Sequence, residues 1–490
     1  MTSPITSDKL PPLYKALIPV FVLITLLGIN VIWIYKDDSI AGSNQIILIL
    51  CAALAALIGF TEKFTWEEME KGVIDGIAAT TPAIIILLLI GALSGTWMIS
   101  GIVPAMIYYG LKMLSPEYFL IATCMICSLV SLATGSSWST VATVGIALFG
   151  VGKALDFSEP LVAGAIISGS YFGDKISPLS DTTNLAPAMA GTTLFRHIEY
   201  MLYTTIPSFL FAAIIFFIIG LNSHNTGNSL SIQQALADLE KTFFISPVLF
   251  IAPLLVLFLI LKKMPALPAL LIGMLLGAVF AVIFQPQVIA SIASNTNTPF
   301  ETYYTAIMDA MTVDISIPTD NDLLKRLLVS TGMNGMLGTV WLIIAAMMFG
   351  GIMESCNFLK SITYSLLKLV KSDTSLVAAT AFTCISTNVL ASDQYLSIVV
   401  PGRMFKEAFR EKGLAPENLS RTLEDAGTVT SVLVPWNTCG AYQAGVLGVP
   451  TLAFAPYCFF NIISPVMTVL FSLFKIRIAR LDPQLETKTA

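Results

Sequence analysis

The sequence predicts an all-α polytopic membrane protein made of two inverted repeats of about five transmembrane helices, each with a re-entrant hairpin and a broken helix. Three observations predict it. Of the 490 residues, 56% are hydrophobic and 12% charged, against roughly 25% charged in an average soluble domain. Such a chain cannot cover itself with a water-compatible surface. Apolar runs at 83–93, 209–221, 248–261 and 267–284, with their flanks, reach the roughly 20 residues that cross a hydrocarbon core. The second half also repeats the breaks, prolines and polar clusters of the first in the same order.

The repeat is visible without gaps when Gly95 is set over Gly350. Each half then shows a spanning segment, a break, a short amphipathic stretch (101–114; 357–371) and an apolar run ending in small polar residues. One residue further along, Pro160 meets Pro416, and Asp181-Thr182 meets Asn437-Thr438. The repeats are drawn at 1–221 and 243–476, with an external linker at 222–242 and a cytoplasmic tail at 477–490.

Lysine and arginine collect in cytoplasmic loops. Lys9 and Lys15 place the N-terminus inside, and Lys475, Arg477 and Arg480 do the same for the C-terminus. Lys262-Lys263 and the group Arg403, Lys406, Arg410, Lys412 mark inside turns, whereas 285–322 contains neither residue type and reads as external. The loop at 36–44 corresponds to the Lys262-Lys263 turn but falls outside, so the halves have opposite topology. The apolar run at 17–35 is too long for a signal-peptide core and lacks a small-residue cleavage pattern; it is the first span. Ten spans follow, at 14–35, 45–60, 73–100, 160–190, 198–220, 243–261, 266–284, 336–356, 417–446 and 452–475. An odd number of crossings per half makes the hairpins at 117–150 and 373–410 re-entrant. Non-helical backbone at membrane depth is tolerated only where protein or a water-filled cavity satisfies it, and inverted repeats with broken helices point to a binding site near the midplane.

Several chemistries are excluded. The seven cysteines lie mostly in apolar segments, and Cys124 and Cys127 form a lone C-x-x-C inside one of them, which reads as packing thiols. Two histidines, His197 and His224, leave no zinc signature and no plausible Ser-His triad. The stretch 147–153 lacks the first glycine of a phosphate loop and has Ala154 where Ser or Thr belongs. No basic stripe marks a nucleic-acid surface. The chain is not an enzyme, needs no cofactor, and any transport it performs is driven by a gradient.

The candidate chemistry sits at the breaks. The first hairpin tip reads Ala-Thr-Gly-Ser-Ser-Trp-Ser-Thr (133–140). Glycine among hydroxyls frees backbone carbonyls and adds oxygens, the ligands of a small hard cation; Ser136 and Ser139 are the candidates. Helix capping or bonding to the i−4 carbonyl is the plainer role of a single hydroxyl. Pro178 cannot donate and clashes with the carbonyl four residues back, so the helix should unwind amid Asp174, Lys175 and Asp181. Ionisable residues in a span are functional candidates by default. An Asp174–Lys175 pair compensating itself accounts for Lys175; it does not account for Asp181 beside Thr182 and Asn184. In the second half the tip carries Asp393, opposite Trp138, and the broken helix carries Asn437 and Thr438, with Asn437 opposite Asp181. Glu424 and Asp425 are either proton carriers or partners of Arg421, and Glu354 reads as interfacial.

The motifs T-G-S-S-W-S-T (134–140), G-D-K-I-S-P-L-S-D-T-T-N (173–184) and V-P-W-N-T-C-G-A-Y (434–442) resemble the NhaC family of Na⁺/H⁺ antiporters, and the likeness runs in order through nearly the whole chain. It implies the two-repeat ion-transporter architecture and an elevator-type movement of transport domains against a dimerising scaffold. It also implies a homodimer, and the overall type of the chain points to a bacterial inner membrane. The exchanged Na⁺ and H⁺ are then expected to compete for Asp174, Asp181 or both, with oxygens from Ser136, Ser139, Thr182, Asn184, Asn437, Thr438 and Asp393. Family members similar to malate/lactate exchangers and amino-acid carriers leave a second expectation open, Na⁺- or H⁺-coupled transport of a small organic anion or amino acid. In that case helix N-termini would hold its carboxylate. The scarcity of arginine in the spans favours the cation, since Arg196 and Arg421 read as cytoplasmic.

Overall fold

The computed structural model describes residues 10–34, 42–223, 229–293, 298–368 and 370–481. Lys9, most of the loop at 36–44, His224 and the tail beyond residue 481 lie outside them.

The elements are punctuated by the residues that local chemistry requires. Trp66–Ile99 starts from a capping box in which Thr65 accepts from the Glu68 N–H and Glu68 reaches back to Thr65, which satisfies two donors that a helix start leaves free. Its 34 residues make a rod of about 50 Å, well beyond a hydrocarbon core of about 30 Å. Its charged first turns therefore stand clear of the apolar remainder. The first hairpin is Pro116–Thr134, stopped by Gly135 at φ 71°, and a second limb that Ser136 caps at Ser137. The second hairpin is Asp373–Leu390 followed by Leu396–Glu411.

Both broken helices have a ten-residue second limb. Glu159–Ile176 gives way before Pro178 and resumes as Asp181–Ala190, capped by Ser180 and ended by Gly191 at φ 91°. Pro416–Leu423 runs through a π-helical turn, Glu424–Thr428, breaks before Pro435, and resumes as Thr438–Leu447, capped by Asn437 and ended by Gly448 at φ 68°.

Among the described residues, six helices are long and apolar enough to cross a membrane: Ser43–Thr61, Trp66–Ile99, Pro116–Thr134, Leu194–Asn222, Ala266–Phe284 and Asn334–Ser355. Counting as single spans the bent pairs Gln233–Thr242 with Pro247–Leu261 and Thr451–Tyr457 with Phe459–Leu473 raises the number to eight. The first limb of the first broken helix is long enough at 18 residues but carries Glu159, Asp174 and Lys175, and the second broken helix is split into short pieces. Two stretches read as connections carry structure. The segment 222–242 holds a helix, Ser229–Thr242, and 285–322 holds Pro286–Ile292 and Pro299–Thr312.

Close backbone packing sets the first broken helix against the first hairpin. A Cβ on Gly169 or Gly173 would lie 2.1 Å from the Cys124 carbonyl oxygen and 2.3 Å from that of Ser128. Residues four apart share a helix face, and small residues at that spacing let membrane helices approach backbone to backbone. Ser131 Oγ donates to the Ser170 carbonyl at 2.6 Å across the same seam. A separate apolar cluster joins the halves: Ala186 and Ala190 of the first broken helix pack with Cys384, Phe405, Phe409, Leu419 and Leu423 of the second half. All seven cysteines are free and buried.

Candidate functional site

The two hairpin tips and the two helix breaks meet around a cavity of about 630 Å³. Ser136, Trp138 and Ser139 come from the first tip, Asp174, Ser180, Asp181 and Thr182 from the first break, Asp393, Gln394 and Tyr395 from the second tip, and Thr438, Cys439 and Tyr442 from the second broken helix. The facing wall is plainer, made by Ala79–Ile86 of the long helix and the turn from Ile260 to Ala266, including Lys263.

The two carboxylates of the first break differ in setting. Asp174, 8% exposed, accepts at Oδ2 from the Ser137 backbone N–H at 3.0 Å and from Ser137 Oγ at 2.6 Å. Its charge therefore sits at the N-terminus of the helix that begins at Ser137, where free N–H groups and the helix dipole favour an anion. Asp181, across the Pro178 break, is exposed to the cavity as the first residue of its limb.

Lys175 does not neutralise Asp174. Its ammonium crosses to the second broken helix and pairs with Asp425 Oδ1, with Ser464 Oγ at 2.9 Å. Successive helical residues do not face one another, so the side chains of Asp174 and Lys175 leave the helix on different sides. Asp425 also accepts from Thr204 Oγ1 at Oδ2, at 2.8 Å. Glu424 is its neighbour in sequence only: fully buried, it takes a hydrogen bond from Thr182 Oγ1 to Oε1 at 3.0 Å, and among the described residues its Oε2 has no donor within hydrogen-bond distance. Neither acid pairs with Arg421, which is buried over the Tyr200 ring and donates to the Arg477 carbonyl at 3.4 Å.

Of the sequence candidates, Ser136, Ser139, Asp174, Asp181, Thr182, Asp393 and Thr438 line the cavity. Asn437 lies behind it, capping Thr438–Leu447 and donating to the Asn388 carbonyl and side chain at 3.1 Å. Asn184 is exposed and donates to the Pro178 and Ser180 carbonyls at 3.0 and 2.7 Å, holding the break closed on itself. Thr182 bridges outward and inward, between Ser180 Oγ at 3.2 Å and Glu424.

The caps also reset the correspondence between halves. Ser136 Oγ accepts from the Ser139 N–H as Asp393 Oδ1 accepts from that of Leu396, at 3.2 and 2.9 Å. Ser180 caps one second limb as Asn437 caps the other. Asp393 thus stands opposite Ser136 rather than Trp138, and Asn437 opposite Ser180 rather than Asp181. The residues unforeseen by the sequence reading are Ser137 and Ser180, the Trp138–Tyr442 stack with ring centroids 3.9 Å apart, and the Tyr442 hydroxyl donating to the Trp138 carbonyl at 3.2 Å. Residues 137 and 180 stood in the hydroxyl-rich runs; nothing in the sequence singled them out.

Comparison with known proteins agrees with this architecture. Residues 169–476 match the model of the Na⁺/H⁺ antiporter family. The chain is 37% identical to the Na⁺/H⁺ antiporter NhaC of Alkalihalophilus pseudofirmus over 433 residues, covering 88% of this chain and 90% of that protein. It is 34% identical to the malate-2H⁺/Na⁺-lactate antiporter of Bacillus subtilis, with 94% and 95% covered. To the arginine/ornithine antiporter ArcD of Halobacterium salinarum it is 33% identical, with 97% and 95% covered. A fold of membrane-length helices, the motifs at its breaks and this full-length likeness together make the chain a member of the Na⁺/H⁺ antiporter family.

Proposed function

We propose that this antiporter exchanges Na⁺ for H⁺, with the two cargoes competing for a site made by Asp174 and Asp181. The observation that carries the reading is the diversion of Lys175 to Asp425, which leaves both carboxylates on the cavity wall with no ion pair among the described residues, Lys263 standing on the facing wall. Carboxylate and hydroxyl oxygens suit a hard cation, and Ser136, Ser139, Ser180, Thr182 and Thr438 supply hydroxyls on the same cavity. A proton on either aspartate removes a charge that Na⁺ needs, so competition at one site suffices for exchange.

The cavity lies between hairpin tips and broken helices on one side and the plainer wall of residues 79–86 and 260–266 on the other. Sliding the first group against the second, elevator fashion, exposes the site alternately; the repeats are inverted, both termini face the cytoplasm, and the protein is a homodimer of a bacterial inner membrane. The test is Na⁺-driven proton flux in proteoliposomes. D174N and D181N should each lower it at least tenfold, and flux unchanged in both overturns the assignment.

One observation favours a second reading. A cavity of about 630 Å³ with Lys263 in its wall falls in the range of small-molecule pockets, and two relatives are named for organic cargoes. Counterflow of labelled malate, lactate or amino acids against Na⁺ in the same liposomes separates the two.

A further inference from the structure

Away from the transport cavity, a second cavity of about 360 Å³ lies between the first turns of Leu194–Asn222 and the chain that leaves the last helix, Phe459–Leu473. Arg196, Glu199, Tyr200 and Tyr203 line it from the first side, Arg477 from the second, and Glu417 from the second broken helix. The sides are tied together: the Tyr200 hydroxyl donates to the Arg477 carbonyl and accepts from the Ala479 N–H at 3.0 Å. Two exposed guanidinium groups are thereby set on one cavity. Arg477 lies over the Tyr203 ring, 4.6 Å from its centroid, and Arg196 Nε donates to Glu417 Oε1 at 2.9 Å. Stacking occupies the face of a guanidinium and leaves its N–H donors along the edge.

The balance of charge at this cavity is positive. Glu417 is already engaged, accepting at Oε1 from Arg196 and from Thr192 Oγ1 at 3.2 Å. The other carboxylate, Glu199, is exposed. Against it stand Arg477 and, behind Tyr200, Arg421, whose guanidinium carbon lies 4.7 Å from the Tyr200 ring centroid. Arg421 is fully buried, and among the described residues its Nε and Nη2 have no hydrogen-bond partner. A buried charge without a counter-ion is costly, and an anion in the adjoining cavity offsets part of that cost.

The surroundings decide the kind of anion. From Tyr203 an exposed apolar stripe runs along Leu194–Asn222 through Ile206, Leu210, Ile214 and Ile218, at the i, i+3, i+4 spacing of one helix face. In a membrane-spanning helix such a face meets acyl chains, and tyrosines at its end sit at the level of the headgroups. Phe195 and Phe474, close in sequence to the two arginines, are exposed as well. We propose that this cavity binds the phosphodiester headgroup of an anionic phospholipid such as phosphatidylglycerol, with the phosphate on Arg196 and Arg477 and the acyl chains along the stripe. Guanidinium edges hold phosphate oxygens in pairs, and basic pockets at the ends of membrane helices hold lipid phosphates. A phosphate ion from solution would gain the arginines without the stripe. A zwitterionic lipid brings its own ammonium into a neighbourhood that is already positive. The bound lipid clasps the chain after the last helix to Leu194–Asn222, whatever cargo the other cavity carries.

The test uses the full chain in detergent, titrated with phosphatidylglycerol, phosphatidylethanolamine, phosphatidylcholine or inorganic phosphate. Binding is read by native mass spectrometry and by the unfolding temperature. Phosphatidylglycerol should be retained and raise the unfolding temperature, and the other three should do neither at the same concentration. A basic side chain near a membrane surface changes affinity for an anionic lipid by about fivefold. R477Q and R196Q, both at exposed positions, should each weaken binding by that factor. E199Q, which removes the opposing charge, should tighten it by about as much, a gain that misfolding cannot mimic. Equal retention of all three lipids, or affinity unchanged in both arginine variants, overturns the site. Displacement of phosphatidylglycerol by millimolar inorganic phosphate marks a site for soluble anions and overturns the assignment to a lipid. Each of these failures leaves the antiport reading intact, because that reading rests on the other cavity.

Discussion

Lys175 and Asp425, 250 residues apart, form an ion pair in which neither side chain is exposed. It ties the two broken helices to each other behind the cavity. Removing one partner of such a pair strands a buried charge, at about 3–5 kcal/mol. K175M or D425L should therefore lower the unfolding temperature in detergent sharply, and the double variant should recover part of the loss. Additive losses would mean that the pair is not the link.

Ser137 holds the Asp174 carboxylate with two hydrogen bonds. A hydrogen bond to an ionised group contributes about 1.5–3 kcal/mol, and S137A removes the one from Oγ while the backbone N–H remains. Half-saturation by Na⁺ should rise about tenfold, since 1.4 kcal/mol is a factor of ten. The defect should be larger at acid pH, where protons compete for the less stabilised carboxylate. Na⁺ titrations of transport at two pH values measure both effects.

Trp138 and Tyr442 join the first hairpin tip to the second broken helix. An aromatic pair contributes about 0.5–1.5 kcal/mol beyond burial. W138A should cut exchange by roughly tenfold by loosening the tip, and W138F should keep most of it. Y442F, which loses only the hydroxyl, should stay within about twofold. Initial rates in proteoliposomes order the three.

Gly173 faces carbonyl and amide backbone: a Cβ there would meet the Ser128 oxygen at 2.3 Å and the Leu132 nitrogen at 2.5 Å. Backbone cannot swing aside as a flexible side chain does, so G173V should abolish the monodisperse peak in size-exclusion chromatography.

Much of the fold was legible because glycine, proline and capping residues mark its breaks. The amphipathic stretches at 101–114 and 357–371 contain Ile102–Met113 and Phe358–Leu367, and the break expected at Pro178 lies between Ile176 and Asp181. Two things escaped the sequence. Register escapes because an ungapped comparison sets Asn437 against Asp181, whereas the residue that caps its limb as Asn437 does is Ser180. Partners escaped because adjacency suggests an Asp174–Lys175 pair, whereas helix geometry sends the lysine to Asp425. The fates of Glu424 and Asp425 are decided by residues more than 200 positions away, Thr182 and Thr204, which no local pattern encodes.

The seven buried cysteines have a practical consequence. Water-borne maleimides should find the natural chain almost inert; even Cys439, at the cavity wall, turns its thiol to Gln394 Oε1 at 2.5 Å. A single cysteine placed at Ala83, half-buried on the cavity wall, would then be the one bright reporter on a dark background. Its rate of labelling from each side of the bilayer, with and without Na⁺, would time the alternation of the cavity between the two compartments.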